Sequence, residues 1–171
     1  MKYRSEDDKC YGVAGMAIGL SIFDADDLFT GITLDSEGLD CIKFTPEFYF
    51  CGNPRLSPKD AWQCLYSHYT ISMGLVIANT MCRKMLLDHG TIDRKLRKSL
   101  FQAACDEGKE MCQLEKDEVE PVFDQYFSHL IKVFSNDSIK TAIHQLADEL
   151  KEHRNFSRIE LNDLLHDLSI I

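Results

Sequence analysis

The stretch SPKDAWQCLYSHYTISMGLVIANTMCRKMLLDHG, residues 57–90, decides the fold. Ser57 is placed to cap a helix, Pro58 fits the first helical position, and Asp60 lies in the first turn. No proline interrupts the run until Gly90, where the helix is expected to stop. At about 100° per residue, Ala61, Cys64, His68, Ile71, Leu75, Ala78, Cys82 and Leu86 form one stripe. Trp62, Tyr66, Tyr69, Met73, Val76 and Ile77 lie on the other side. A helix apolar on two opposite sides has to be covered on both. The reading is a long helix over 57–89 at the centre of the fold.

Outward from it, the downstream sequence repeats a helical period four times. A helix opening at Thr91 or Ile92 runs to about Leu114, with Ile92, Leu96, Leu100, Ala103, Ala104, Met111 and Leu114 inward. The next spans about 117–134, facing Phe123, Tyr126, Phe127, Leu130 and Phe134 to the core. Asn136 or Asp137 caps a further one, carried by Ile139, Ile143, Leu146, Ala147 and Leu150. Ser157 and Glu160 make a capping box for the last, which buries Leu161, Leu164, Leu165 and Leu168. The short links favour antiparallel neighbours.

Upstream, Ser5 is an N-cap with Asp8 three residues on, and 6–23 reads as a buried first helix. Gly12, Gly15 and Gly19 share one side of it. Each costs about 1 kcal/mol relative to alanine in a helix, so close approach of another backbone is the expected compensation. A buried strand pair is the competing reading of so short an apolar run. Residues 24–31 suggest a short helical turn with Leu28 and Phe29 inward. Residues 32–44 alternate loosely around Ser36-Glu37-Gly38, which fits a small hairpin. The aromatics Phe44, Phe48, Tyr49 and Phe50 are expected to anchor this irregular segment to the core, with a ligand-facing lid as the alternative. The expectation is one mainly α domain of five to six helices around a central long helix, with a small β-hairpin in the irregular segment.

Composition narrows the function classes. The chain has 171 residues, 44% hydrophobic and 27% charged, with a formal net charge of -9. That is ordinary globular composition. The negative balance argues against nucleic acid, whose phosphates are neutralised by Lys and Arg. The seven cysteines are odd in number and form no CxxC pair. With a polar, acidic start instead of a signal-peptide pattern, reduced thiols and a cytoplasmic location are the expected setting. The longest apolar run, 11–23, falls short of the roughly 20 residues that span a bilayer, so membrane insertion is not expected.

No catalytic motif stands out, and no cofactor is implied. Cys64 and His68 sit at i, i+4, a spacing that supplies half a zinc site, but nothing at matching spacing supplies the other half. Core packing is the simpler role for both. A Cys–His pair acting in catalysis would need a cleft and an orienting third group. Cys105 and Cys112 share a helix face and read as ordinary thiols. Asp24, Asp26 and Asp27 begin like a calcium loop, but Leu28 and Phe29 stand where an oxygen ligand and glycine are required. Gly12, Gly15 and Gly19 lack the spacing of a dinucleotide fingerprint. Asp163-x-x-His166 is the nearest approach to a di-iron motif and has no second copy.

Charge is distributed more tellingly. Arg83, Lys84, Arg94, Lys95, Arg97 and Lys98 straddle one interhelical turn. Asp106, Glu107, Glu110, Glu115, Asp117, Glu118 and Glu120 straddle the next. Antiparallel packing would give the bundle a basic and an acidic pole, with cations at the start of a helix, against its dipole. A solvated surface explains this simply. The functional alternative is a surface for an anionic protein partner or for the acidic pole of a second copy.

Asp8-Lys9-Cys10-Tyr11-Gly12-Val13-Ala14-Gly15-Met16-Ala17-Ile18-Gly19 resembles the opening of an uncharacterised bacterial family of small helical proteins. Phe44-Thr45-Pro46, Gly52-Asn53-Pro54 and Ser157-Arg158-Ile159-Glu160 are similar to later parts of it. The resemblance implies a bacterial source and a helical domain, and brings no activity and no site residues. The leading expectation is therefore a protein–protein interaction or regulatory module that self-associates, using Arg83, Lys84, Arg94, Lys95, Arg97 and Lys98. The alternative is a small-ligand or metal-binding protein, or an enzyme, with a pocket near Cys64 and His68.

Overall fold

A computed structural model describes residues 2–49 and 57–168. The sequence-predicted Phe50 and Gly52-Asn53-Pro54 lie outside the described residues. The fold is mainly α with one small antiparallel sheet. Its elements are α1 (Glu6–Ile22), β1 (Phe29–Thr33), β2 (Ile42–Phe44), the one-turn α2 (Pro46–Tyr49), α3 (Pro58–Cys82), α4 (Arg94–Cys112), α5 (Lys116–Ser135), α6 (Asp137–His153), β3 (Asn155–Ser157) and α7 (Arg158–Asp167).

Helix α1 settles the choice between helix and strand pair. Ser5 Oγ accepts the Asp8 amide at 3.2 Å, as its cap position requires. Every residue from Gly12 to Leu20 is buried, so this segment is enclosed on all sides. The glycine face lies against α3. A Cβ on Gly15 would stand 2.5 Å from the Cys82 Cβ and 2.8 Å from the Ala78 carbonyl oxygen. Gly12 faces Asn79 and Gly19 faces Leu75, so the two helices run antiparallel. The opposite side of α1 packs on α6.

Helix α3 starts as expected, with Ser57 Oγ accepting the Asp60 amide at 3.2 Å. From His68 onward it is enclosed, by α1 on one side and by α4 and α5 on the other. Its first turns depart from the reading. Trp62 is 45% exposed and Leu65 36%, because periodicity marks an apolar side without showing that anything covers it. The end also differs. The last turn, Arg83–Leu87, widens to a π-helix, and His89, not Gly90, takes the left-handed conformation that closes it (φ 48°).

Tyr69 fastens α3 to α4. Its hydroxyl donates to the Ala104 carbonyl at 2.9 Å, and its ring lies where a side chain on Gly108 would stand. Helix α4 begins at Arg94, two or three residues after the expected Ile92 or Thr91, because Asp93 Oδ1 accepts the Leu96 amide at 2.7 Å. Helix α5 is opened by a Glu115–Glu118 capping box, α6 by Asn136, and α7 by the expected Ser157–Glu160 box. Ala103, placed inward by the sequence, is exposed.

The hairpin is present, with Ile32 opposite Ile42 and Phe29 opposite Phe44. A 3-10 turn, Gly38–Cys41, fills the connection. The sequence did not disclose that β1 is the middle strand of three. Strand β3 pairs on its other edge, with Gly31 opposite Ser157 and Thr33 opposite Asn155. No helix among the described residues is long and apolar enough to cross a membrane.

Candidate functional site

Strand β2, the one-turn α2 and the first half of α3, with the 3-10 turn before β2 and Met111 of α4, line a half-open cavity of about 310 Å³. The Thr45 amide donates to the Leu28 carbonyl at 2.9 Å, tying the start of α2 to the residue before β1, and the Phe48 amide closes the α2 turn on the Thr45 carbonyl at 3.1 Å. Phe44 from β2 stacks on Phe48 with ring centroids 3.8 Å apart, and Phe48 stacks on His68 at 4.4 Å. Tyr49 meets both phenylalanines edge-on. Leu39, Leu65 and Met111 complete the apolar lining, and Asp40, His68 and Ser72 bring polar groups to it. Of the four aromatics read as an anchor, Phe48 is buried and Tyr49 is 68% exposed. The segment both anchors and lines a cavity.

Cys64 and His68 are brought together as their spacing requires. The thiol sulfur lies 3.6 Å from His68 Nε2. Burial lowers the His68 pKa from its ordinary value, since a desolvated imidazole resists charging. The ring is therefore neutral at pH 7, able to donate from one nitrogen and accept at the other. Among the described residues, no group of three or more His, Cys, Asp or Glu side chains converges in a way that could hold a metal.

The six basic candidates separate. Arg83 turns inward. Its side chain is 15% exposed, and its guanidinium grips both oxygens of Asp8, with Nε 2.7 Å from Oδ1. Arg4 grasps the same carboxylate, and Asn79 donates to the Tyr3 hydroxyl at 2.9 Å beside it. Burial pushes the Asp8 carboxyl up, but the hydrogen bonds from Arg83 and Arg4 more than offset this and hold it well below the usual carboxylate range. Arg97 bonds Asp124 of α5 and lies over the Phe123 and Phe127 rings. Lys84 reaches only to 3.9 Å from Asp88. Arg94, Lys95 and Lys98 are exposed. On the acidic side, Glu115 and Glu118 are engaged in capping α5, while Asp106, Glu110, Asp117 and Glu120 face solvent.

No match to this chain is found among protein-family models, curated proteins or solved structures. The cavity geometry and the surface chemistry are thus the grounds for a functional reading.

Two features escaped the sequence reading. The Asp8–Arg83 clamp joins residues 75 positions apart, and a charge cluster on a helix gives no sign of which member turns inward. The Tyr11 hydroxyl meets His144 Nδ1 across the α1–α6 contact. Its only trace in the sequence is a polar residue on each of two largely apolar faces.

Proposed function

We propose that the chain binds a small, flat, largely apolar molecule in the cavity between β2, α2 and α3, acting as a ligand-binding or sensing module. One observation carries the reading: a continuous stack of Phe44, Phe48 and the His68 imidazole forms one wall of a 310 Å³ space. Ligand cavities begin at about 300 Å³ and combine apolar walls with a few placed polar groups. A planar ring entering here would lie against aromatic faces, and offset or edge-on ring contacts are worth about 0.5–1.5 kcal/mol beyond area burial. The Ser72 hydroxyl would orient a single polar substituent, while the His68 ring serves as a stacking face. A screen of planar aromatic fragments by NMR tests this. Shifts centred on Phe48, His68 and Ser72, abolished in a cavity-filling Ser72→Leu variant, are the expected result. Fragments that leave those residues unperturbed, or that bind Ser72→Leu equally well, would overturn the proposal.

A second reading, docking of a protein partner or another copy, is favoured by a different observation. Trp62 stacks on Tyr66 with centroids 5.1 Å apart while remaining 45% exposed. Large aromatics dominate interface energetics. Arg94, Lys95 and Lys98, in the opening turns of α4, add charge at a helix end whose dipole disfavours cations. Light scattering coupled to size exclusion reads self-association directly. A monomer at high concentration and low salt, together with undiminished partner capture after reversal of Arg94, Lys95 and Lys98, would remove this reading.

A further inference from the structure

The cavity at His68 continues along the seam between α3 and α4. On α3, Leu65, His68 and Ser72 line the cavity, and Val76, one turn further on, lines a small adjoining slot with Met73. On α4, Met111 lines the cavity, and Glu107, one turn back, lines the same slot with Ala103 and Leu100. At about 100° per residue, Leu65, His68, Ser72 and Val76 share one face of α3, and Leu100, Ala103, Glu107 and Met111 share one face of α4. The two helices pack together, held beside the slot by the bond from the Tyr69 hydroxyl to the Ala104 carbonyl. Cavity and slot are therefore successive stretches of one furrow.

We propose that this furrow binds an arylalkylamine, with a flat ring in the cavity and a protonated amine one turn away, paired with the Glu107 carboxylate. The proposal rests on the ligand-binding reading of the cavity and names the chemistry of the ligand.

Glu107 carries the argument. It is half-buried on a slot whose other lining residues are all apolar. Among the described residues its carboxylate takes part in no ion pair and no hydrogen bond. Burial, then the charge of Glu110, push that carboxyl up, and no cation opposes them. By contrast Asp8, also drawn in from the surface, is gripped by Arg83 and Arg4. A carboxylate taken partly out of water without a partner is unfavourable, and a cationic guest relieves it.

The rest of the furrow agrees in sign and in size. The charged residue at the cavity end is Asp40, and no lysine or arginine lines either stretch. An aryl carboxylate or phosphate would be repelled along the whole length. The slot measures about 10 Å³, close to the room one water needs, which suits an ammonium head and excludes a second ring. One helical turn is about 5.4 Å, the reach of a two-carbon link between a ring and a nitrogen. A bare metal ion is poorly suited, because among the described residues no three ligating side chains converge.

The probes are phenethylamine and its uncharged counterpart, phenethyl alcohol. Each is titrated into the full chain at neutral pH and followed by NMR of the Phe48 ring, the Met111 methyl and the Glu107 carboxyl carbon. The amine is expected to shift all three and to bind about five- to tenfold more tightly than the alcohol, between the effect of an exposed ion pair and that of a hydrogen bond to a buried charge. Glu107→Gln is expected to lower the amine's affinity to that of the alcohol and to leave the alcohol's unchanged, with the fold retained by circular dichroism. Glu107→Asp, which keeps the charge, is expected to restore part of the preference. Equal binding of the two probes to the parent protein, or a preference for the amine that survives Glu107→Gln, overturns this inference and leaves the cavity reading standing. If neither probe moves Phe48 at tens of millimolar, both fall together.

Discussion

Adding one methyl group to Gly15 tests the contact between the two buried helices most directly. The substitution Gly15→Ala has a gain and a cost. Alanine in a helix interior is favoured over glycine by about 1 kcal/mol. Against this, the new carbon would stand 2.5 Å from the Cys82 Cβ and 2.8 Å from the Ala78 oxygen. Unstrained carbons meet at about 3.5–4.0 Å, so the helices must part by roughly 1 Å. The Ala78 oxygen is backbone and the Cys82 Cβ is attached directly to it, so no rotamer change relieves the clash. Overpacking of this kind costs typically about 1–3 kcal/mol and sometimes more. A separation of that size also forfeits about a quarter to a half of each dispersion contact along the interface. The net expectation is a loss of about 2 kcal/mol or more, which for a chain of this length lowers Tm by about 4–8 °C. Gly19→Ala is the control, because its Cβ meets the far end of the Leu75 side chain, Cδ2, at 3.1 Å and the Ala78 Cβ at 3.4 Å. It should be neutral or stabilising by up to about 1 kcal/mol. Urea titrations at an unchanged m-value read both effects. A Gly15→Ala protein as stable as its parent, or equal losses at both positions, would refute the packing argument.

Asp8→Ala leaves Arg83 without its partner in a largely buried setting and should cost about 3–5 kcal/mol in denaturant titrations. In the parent protein the lowered Asp8 pKa contributes stability that is fully present above the unfolded carboxylate value, about pH 3.9, and is lost as pH falls below it. An acid-unfolding profile unchanged by Asp8→Asn would contradict this. Burial lowers the His68 pKa, so the unfolded chain takes up this proton first; stability should decline below about pH 6.5, and His68→Gln should flatten that slope. Tyr69→Phe removes the donor to Ala104, whose carbonyl keeps its partner within α4, for an expected loss of about 0.5–1.5 kcal/mol by thermal or chemical unfolding.

The helices were legible because their signals are local. Ser5, Ser57, Asn136 and the Ser157–Glu160 pair each cap the helix they precede. The glycine stripe on α1 correctly implied a close neighbour, although nothing in its spacing named α3. Strand β3 was illegible for the converse reason. Asn155-Phe156-Ser157 is too short to show alternation, and its partner is far away in the chain. The Cys64–His68 pairing followed from helical spacing, whereas the wall that Phe48 lends it depends on how α2 folds back. Arg83 looked like one more surface cation because nothing local distinguishes it from Lys84. The π-turn that begins at Arg83 is a backbone irregularity that residue type does not reveal.

The third strand has a consequence for how the chain acquires its shape. Asn155 Nδ2 bonds Asp35 across 120 positions, and β1 receives its second partner only there. Closing a loop of that length costs about 4 kcal/mol by polymer statistics, before the constant term. On a ribosome, β1 and β2 emerge early and must wait, with one edge of β1 unsatisfied, until nearly all the helices have been made. Until then that edge of β1 is open to mispairing. The late arrival of a three-residue ribbon therefore closes the second edge of β1, and slow or interrupted translation past residue 150 would prolong the interval in which that edge stays open.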